Sequence, residues 1–384
     1  MDTTPRSNRV SIAFFGLRNA GKSTLVNAFT GQDIAIVSDT PGTTTDPVSK
    51  AMEILPLGPC LITDTAGLDD GGELGGMRVK RTLRVLETAD IAVWVDSGEG
   101  TADDVASAKL HSGFLEECRR RGVVALEYRR GDSVEELKKR IASVKIGDVA
   151  PGLLDGLVEK GDRVVCVCPI DESAPKGRLI LPQVQLIRDC LDRHIAASVC
   201  QPEELAGELS HSGGGNVLVV TDSQAFGKVK EILAALPRGS MRLTSFSILF
   251  ARQKGDLDEF TAGLKAIGNL KDGDTVLVAE GCTHHRQCND IGTVKIPKAV
   301  ERLSCRKLSF AFASGNTFDL PDGSAHAKPA LVVHCGGCML TRREVLRRIA
   351  AAKSAGVPIV NYGILLAAAS GIDIPVCNFT EKMR

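Results

Sequence analysis

The sequence predicts an α/β fold in three domains, and three observations support that prediction. A glycine-rich segment ending in Gly-Lys-Ser separates the first apolar strand from the first helix. The strand–loop–helix pattern then recurs to the end of the chain, which favours parallel sheets covered by helices. Pairs of cysteine and histidine directly follow two of the later strands, where α/β domains bind ligands. The predicted architecture is a P-loop nucleoside-triphosphatase domain followed by two smaller α/β domains.

The composition is typical of a globular protein in a reducing compartment. With 384 residues, the chain is long enough for two or three domains of about 100 to 200 residues each. Its 47 basic and 47 acidic residues balance, so the net charge neither requires nor excludes a nucleic-acid partner. No apolar run approaches the roughly 20 residues of a membrane span, and the first nine residues are too polar for a secretory signal. We expect a soluble, cytoplasmic protein whose 12 cysteines stay reduced.

The first element is a nucleotide-binding loop. Val10 to Phe15 is predicted as a buried strand, and it runs through G-x-x-x-x-G-K-S into a helix. In such a loop backbone N–H groups surround phosphate oxygens, Lys22 reaches the terminal phosphates and the Ser23 hydroxyl binds magnesium. A glycine-rich turn with an incidental lysine is the alternative, but strand, loop and helix occur in the required order. The predicted nucleotide-binding residues here are Gly16, Asn19, Ala20, Gly21, Lys22, Ser23 and Thr24.

Two further segments complete the predicted triphosphate site. Asp64 ends the next apolar strand and Gly67 follows it, so Asp64 is expected to hold magnesium through water and the Gly67 N–H to contact the γ-phosphate. Thr44, in a polar loop between the two motifs, is the predicted third group and a magnesium ligand. A bland threonine-rich turn is the alternative for that loop. Lys22, Thr44, Asp64 and Gly67 are the predicted catalytic residues.

From Val10 to about Ser97 these motifs resemble the GTPases of the TrmE and Era group. The resemblance implies that Asn19 binds a potassium ion, because it occupies the position of the potassium-ligating asparagine in potassium-stimulated members. Leu68 follows Gly67 where Ras-like enzymes carry a water-orienting glutamine, so slow hydrolysis is implied.

The guanine-reading motif of those GTPases, N-K-x-D, does not occur in the sequence. The strand at Val123–Leu126 and the helix after Gly131 resemble instead the last strand and helix of such a domain. A segment containing the guanine reader is therefore expected to be missing, which leaves the choice between GTP and ATP open. Asp132 is either a remnant of the reader or part of a helix start, since Ser133-x-x-Glu136 fits a capping box.

The middle of the chain predicts a second α/β domain over residues 151–262. Cys166 and Cys168 share one face of an alternating strand, where burial is favoured over metal binding. Residues 182–198 are predicted as a helix whose apolar stripe packs internally or against a second subunit. A further strand is predicted around Phe246 to Phe250. The stripe consists of Val184, Ile187, Leu191 and Ile195.

Cysteine and histidine cluster in the third predicted domain, residues 263–384. Cys282-Thr-His284 follows the apolar run that ends at Ala279, and His334-Cys335-Gly-Gly-Cys338 follows a second one. Thiolates at strand ends suit an iron–sulfur cluster or zinc, and buried structural thiols are the alternative. Cys282, Cys335 and Cys338 are the predicted ligands. One position then remains, for which His284, His334 and Glu280 are candidates.

Nearly the whole chain is similar to the FeFe-hydrogenase maturation GTPases. Four segments carry the resemblance: residues 174–185, 282–297, 334–339 and 357–363. It implies a GTPase domain (1–150), a dimerisation domain (151–262) and an iron–sulfur domain (263–384). The implied cofactors are a 4Fe-4S cluster, GTP, Mg2+ and K+, with a diiron precursor as cargo. The implied partners are an apo FeFe-hydrogenase catalytic subunit, the radical-SAM maturases and a second copy of the chain, with neither nucleic acid nor a membrane.

Two other functions remain as hypotheses. The first is a zinc-containing GTPase of the TrmE and Era type that acts in RNA modification or ribosome assembly. The second is a cluster enzyme that uses nucleotide hydrolysis directly, for which the sequence shows no paired acid and base. Iron, rather than zinc, bound by the cysteines would separate the carrier from the first of these.

Overall fold

The computed structural model describes residues 9–31, 48–68, 82–97, 104–145, 151–170, 177, 179–210, 216–236, 241–281, 290–315, 318, 320 and 328–371. Thr44, Cys282 and His284 lie outside these residues. Contacts divide the chain into two compact units, Met1–Val149 and Ala150–Arg384. Both are built from strands alternating with helices, which confirms the predicted α/β class. No helix in the described ranges is long and apolar enough to cross a membrane.

The first unit contains a five-stranded sheet in the order β2-β3-β1-β4-β5. Only the edge pair β2–β3 is antiparallel, and β1, at the centre, is buried on both faces, as its unbroken apolar run predicts. The strands are β1 (Val10–Gly16), β2 (Val48–Ile54), β3 (Gly58–Asp64), β4 (Ile91–Asp96) and β5 (Val124–Arg129). The helices with defined bounds are α1 (Lys22–Thr30), α2 (Asp104–Arg120) and α3 (Val134–Ala142).

The end of the first unit has the shortened form that the sequence predicts. Strand β5 pairs in parallel with β4, and α3 packs near α1, with Leu137 and Phe29 in one apolar core. Ser133 caps α3, because its hydroxyl accepts a hydrogen bond from the Glu136 N–H at 3.3 Å. The Asp132 carboxylate accepts one from the Arg129 N–H at 2.9 Å. β5 and α3 thus form the end of the described domain, with no sixth strand in the sheet.

The second unit contains two four-stranded parallel sheets with the same strand order. In each, the first strand lies between the second and the third, and the fourth is an edge. The middle sheet, ordered β7-β6-β8-β9, consists of β6 (Arg163–Val167), β7 (Ala196–Cys200), β8 (Val217–Thr221) and β9 (Met241–Ser245). The last sheet, ordered β11-β10-β12-β13, consists of β10 (Thr275–Glu280), β11 (Ser309–Ser314), β12 (Leu331–His334) and β13 (Ile359–Asn361).

Helices cover both sheets of the second unit. Those associated with the middle sheet are α4 (Leu181–Asp192), α5 (Leu205–Ser210), α6 (Phe226–Ala235) and α7 (Phe246–Lys254). The later ones are α8 (Leu257–Ala266), α9 (Ile296–Ser304), α10 (Arg342–Ser354) and α11 (Tyr362–Ala369). In each half a helix directly follows the fourth strand, and these two helices, α7 and α11, pack together closely. An ideal Cβ on Gly363 would lie 2.6 Å from the Ser247 Cβ, so only glycine permits this approach.

The predicted strand around Phe246 to Phe250 is wrong, because this run opens α7. The Ser245 hydroxyl accepts a hydrogen bond from the Ile248 N–H at 3.2 Å and caps the helix. The sequence signal fails because α7 is buried on most of its circumference and therefore lacks an amphipathic period.

The predicted helix over residues 182–198 is too long. Helix α4 ends at Asp192, and His194 takes a left-handed φ of 57° before β7 begins at Ala196. Its buried residues are Gln183, Leu186 and Cys190. Of the predicted stripe, Ile187 packs against the same apolar core and Ile195, after the helix, belongs to it. Val184 and Leu191, members of the predicted stripe, are 49% and 66% exposed.

Cys166 and Cys168 are buried in one apolar core, as predicted, with Cys190 from α4. Burial raises the pKa of each of these thiols. Residue 262, where the sequence analysis ends the second domain, lies within α8. That helix packs against the last sheet, since a Cβ on Gly263 would collide with the Ile359 carbonyl.

Candidate functional site

The glycine-rich loop connects β1 to α1 and is shaped by close packing. An ideal Cβ on Gly16 would lie 2.5 Å from the Val95 carbonyl oxygen, so a larger residue would push β4 away. Gly21 precedes α1 with a left-handed φ of 87°, a conformation that glycine adopts without steric cost. The loop therefore delivers the N-terminus of α1 to the carboxyl edge of the sheet, where helix N–H groups attract phosphate.

Lys22, Ser23 and Asp64 meet at this edge. The Lys22 ammonium donates hydrogen bonds to the carbonyls of Leu17, at 2.6 Å, and Gly16, at 3.2 Å. The Ser23 hydroxyl donates to Asp64 Oδ2 at 2.6 Å. Burial raises the pKa of Asp64, against the Ser23 hydrogen bond and the Lys22 charge.

The other carboxylate oxygen of Asp64, Oδ1, is buried and has no hydrogen-bond partner among the described residues. A buried orphan oxygen beside a serine hydroxyl is an oxygen-rich environment of the kind that magnesium prefers. The residues present therefore fit the predicted magnesium site, with Ser23 and Asp64 as the groups that would hold the ion. The remaining predicted ligand, Thr44, falls outside the described ranges.

The segment after Asp64 lies against the glycine-rich loop. The Leu68 N–H donates to the Gly16 carbonyl at 3.3 Å, and the Thr65 hydroxyl donates to the Phe14 carbonyl at 2.7 Å. Gly67, which lies between Thr65 and Leu68 in the sequence, is buried. The Leu68 side chain packs against the apolar cluster that contains Phe15, so it offers no polar group to a water molecule. Asn19 is exposed in the loop, with a left-handed φ of 61°.

The second predicted site lies where the order of strands in the last sheet reverses. The chain passes from β10 to β11 on one side and then to β12 on the other, so the crevice between β10 and β12 is the topological switch point. Ligands of open α/β sheets bind at that position. Both predicted ligand motifs leave the sheet here, since Cys282 follows Gly281 in the chain and Cys335 follows β12 directly.

Cys335 is tied to the end of β10. Its N–H donates to the Ala279 carbonyl at 2.9 Å, and its sulfur accepts a hydrogen bond from the Gly281 N–H at 3.1 Å. Burial raises the pKa of this thiol, and the N–H bonds from Gly281 and Gly337 oppose that rise. An N–H···S contact stabilises a thiolate, which is the form that binds iron or zinc. The sulfur chemistry thus fits the predicted metal centre.

Asn361 and Lys254 support the Cys335–Cys338 loop, and the sequence analysis identified neither. Asn361, at the end of β13, donates from Nδ2 to the Cys335 carbonyl at 3.2 Å while its Oδ1 caps α11. Lys254, at the end of α7, donates hydrogen bonds to three backbone carbonyls of residues 337–340. Burial lowers the pKa of Lys254 to about 8, and the nearby Cys338 and Cys335 oppose that shift. Of these two residues, only Asn361 had a recognisable signal in the sequence, since it is the polar residue that ends an apolar strand.

His334, one of the predicted candidates for the remaining ligand position, has partners on both ring nitrogens. Nδ1 lies 2.7 Å from the Cys335 carbonyl oxygen, and Nε2 lies 3.4 Å from Nη1 of Arg348. Burial and the Arg348 charge lower the pKa of His334 to about 4. The ring is therefore neutral near pH 7, and metal binding through Nε2 would require the Arg348 contact to be given up.

Glu280, the other described candidate, is buried at the end of β10 and accepts a hydrogen bond from the Tyr362 hydroxyl at 3.4 Å. No group of three or more His, Cys, Asp or Glu side chains within the described ranges is arranged to hold a metal ion. Among the described residues, Cys335 and Cys338 share one loop, but neither Glu280 nor His334 forms a metal-binding group of three with them. The full predicted set depends on Cys282 and His284, which lie outside it.

Three family models match consecutive parts of the chain. The model described as "50S ribosome-binding GTPase" matches residues 11–123. Residues 153–255 match "Hydrogen maturase F dimerization domain", and residues 258–374 match "Hydrogen maturase F tetramerization domain". The first match covers the Lys22 and Asp64 site, and the last covers the Cys335 loop.

Curated relatives match part of the chain. The chain is 32% identical over 134 residues to the tRNA modification GTPase MnmE of Bacteroides thetaiotaomicron, covering 34% of this chain and 28% of the relative. It is 45% identical over 89 residues to that of Synechococcus sp., covering 22% and 19%. The chain thus spans about a quarter of the length of such relatives. The crystal structure of Toc33 from Arabidopsis thaliana in complex with GDP and Mg2+ is 16% identical, with 35% of this chain and 83% of that chain covered and a TM-score of 0.25.

Proposed function

Because the chain belongs to the hydrogen maturase F family, whose two oligomerization domains follow its GTPase domain, we propose that it is a scaffold and carrier in FeFe-hydrogenase maturation. In this proposal it binds a 4Fe-4S cluster and delivers a diiron precursor to the apo-hydrogenase. The observation that carries the proposal is the contact between the Gly281 N–H and the Cys335 sulfur. It joins Cys335 to Gly281, the residue that precedes Cys282 in the sequence, at the switch point of the last sheet.

The donor set suits a carrier better than a closed structural site. Cys335, Cys338 and, from the sequence, Cys282 offer three thiolates. A four-iron cluster held by three cysteines keeps one iron with an exchangeable ligand, which is the chemistry such a group would supply. Glu280, His284 and His334 remain candidates for that position. Both described candidates already have protein partners, Glu280 through the Tyr362 hydroxyl and His334 through both ring nitrogens.

The first unit would supply nucleotide-dependent control. We assign Lys22 to the terminal phosphates, Ser23 and Asp64 to magnesium, with Thr44 as a further ligand, and Gly67 to the γ-phosphate. Asn19 is proposed as the potassium ligand. Hydrolysis is expected to be slow, because the apolar Leu68 cannot orient the attacking water. We further propose that the radical-SAM maturases supply the cargo, and that the protein works as a cytoplasmic homodimer.

Anaerobic reconstitution with iron and sulfide tests the carrier function. The parent should turn brown with sulfide-to-iron absorption, whereas Cys335→Ser and Cys338→Ser should each lose most of the iron and all hydrogenase activation. Cys305→Ser is the matched control, since Cys305 is exposed and should bind iron normally. A colourless parent that holds one zinc per chain would contradict the proposal and favour the zinc-containing GTPase.

A further inference from the structure

Lys254 is an almost completely buried cation in contact with the segment 335–340, called the cysteine loop below. It ends α7 and is 4% exposed. Its ammonium donates three hydrogen bonds to backbone carbonyls, to Leu340 at 2.8 Å, Cys338 at 3.1 Å and Gly337 at 3.2 Å. These use all three N–H donors of a lysine. The ammonium also lies 5.0 Å from the centre of the Phe250 ring.

No carboxylate in the described part of the chain pairs with Lys254. Its polar partners are the three carbonyls, and the ionisable groups whose charge acts on it are the thiols of Cys338 and Cys335. A buried charge normally requires a charged partner, because desolvation of an ion costs several kcal/mol even after relaxation. The groups placed to provide negative charge are those two sulfurs. They become anionic when they bind a metal.

We propose that Lys254 is a positioning residue for the thiolate-bound centre, in which it fixes the 337–340 carbonyls and supplies the positive charge that balances the two sulfurs. This inference rests on the proposed function, since it assigns Lys254 a role toward a cluster at Cys335 and Cys338. A cation at this position stabilises the reduced, more negative form of a cluster. Lys254 therefore raises the reduction potential, one of the levers by which proteins tune such groups.

The contact also joins two halves of the second unit. Lys254 belongs to the segment that matches the dimerization domain, and the loop belongs to the segment that matches the tetramerization domain. Asn361 also contacts the loop, since its Nδ2 donates to the Cys335 carbonyl. Lys254 thus supports the Cys335–Cys338 loop from α7, the helix that follows the last strand of the middle sheet.

Four variants test the proposal. Lys254→Met removes charge and hydrogen bonds, Lys254→Gln removes the charge but keeps an amide donor, and Lys254→Arg keeps the charge. Lys265→Met is the matched control, since Lys265 is exposed on α8 in the same unit. Each protein is reconstituted anaerobically, its iron is counted, and its cluster is titrated under EPR detection.

We expect Lys254→Met and Lys254→Gln to lower the ratio of reduced to oxidised cluster at least tenfold at a fixed potential, a shift of about 59 mV for one electron. Lys254→Arg and Lys265→Met should stay within threefold of the parent. Iron loss from the Met and Gln variants, with iron kept by Lys254→Arg, would support the proposal as well, because charge is what separates these variants. Unchanged iron and unchanged potential in Lys254→Met and Lys254→Gln would overturn it.

A parent that fails to hold iron would count against the proposed function, and hydrogen exchange of the metal-free protein then decides the role of Lys254. Lys254→Met should speed exchange of the amides in residues 336–341 at least tenfold, while Lys265→Met should not. Equal protection of this loop in the parent and Lys254→Met would overturn the positioning role.

Discussion

At the scale of single residues, the buried Arg348 organises the polar interior beside the cysteine loop. Its guanidinium donates to Glu344 Oε1 at 2.9 Å and to the Gly315 carbonyl at 2.7 Å, and it approaches His334 Nε2. Arg347 adds two hydrogen bonds to the same carboxylate. Truncating one member of a buried ion pair leaves an uncompensated charge and costs more than a surface pair would.

Glu344→Gln should therefore destabilise the second unit by about 3 kcal/mol, because the buried Arg348 loses its anionic partner. Burial alone would raise the pKa of Glu344, but the hydrogen bonds and charges of Arg347 and Arg348 outweigh it and hold the pKa below the usual value of 4.5. A lowered carboxyl pKa stabilises the folded state above pH 4.5, and that contribution disappears as pH falls through the folded pKa.

Urea unfolding between pH 3 and 7, with hydrogen exchange of α10 as the readout, measures this effect. The parent should lose stability below about pH 4.5 more steeply than Glu344→Gln does. Glu231→Gln, an exposed acid on α6, should follow the parent within about 0.5 kcal/mol at every pH. Parallel pH profiles for the parent and Glu344→Gln would show that the ion pair contributes nothing to stability.

At the scale of elements, the shortened end of the first unit determines how a base can be read. The chain goes from β4 through α2 to β5 and then directly to α3, which packs near α1. The loop between β5 and α3 consists of residues 130–133. Its one acid, Asp132, already accepts a hydrogen bond from the Arg129 N–H. Asp132 can still be a remnant of the guanine reader, because the residue that caps α3 is Ser133.

We expect weak discrimination between GTP and ATP. An N-K-x-D carboxylate accepts two hydrogen bonds from guanine, each worth roughly 1.5 to 3 kcal/mol, so their loss should reduce the preference by about two to four orders of magnitude. Competition of GTP and ATP for a fluorescent analogue measures the ratio directly. A thousandfold or greater preference for GTP that Asp132→Asn abolishes would mean that Asp132 has rebuilt the reader.

At the scale of the whole molecule, the second unit places two sheets of identical strand order in succession. The last sheet uses its switch point for the Cys335 loop. The corresponding crevice of the middle sheet, between β6 and β8, is flanked by Cys168 and Asp222. The Cys168 thiol is buried in the apolar core of the middle sheet. The same strand order therefore surrounds packed apolar side chains in the middle sheet and a candidate metal centre in the last sheet.

Oligomerization follows from the two matched domains, and α4 offers a surface for it. Leu191→Glu should shift the protein to a smaller species in sedimentation velocity, because a carboxylate cannot be buried cheaply in an apolar contact. The fold should persist, since Leu191 is 66% exposed. Leu110→Glu, at a 42% exposed leucine of α2, is the control and should leave the mass unchanged. The same mass for Leu191→Glu and the parent would exclude this face of α4 from the interface.

The sequence by itself determined the local features of both sites. The positions of Lys22, Ser23 and Asp64, the cap at Ser133 and the thiols after β12 all follow from spacing, turn chemistry and strand ends, which depend on neighbours along the chain. It also predicted that both halves of the cysteine motif follow strands of one parallel fold. The missing guanine reader was visible as the absence of a short motif.

Only the tertiary structure decided which of those segments meet. The pairing of Ala279 with His334 sets Gly281 against the Cys335 sulfur, and no local pattern encodes that register. The apolar run at Phe246 resembled a strand because a helix buried on most sides loses its period. Its last residue, Lys254, therefore lay outside every pattern that the sequence analysis identified. Its role follows from burial beneath a loop more than 80 residues away, and long-range packing alone creates that environment.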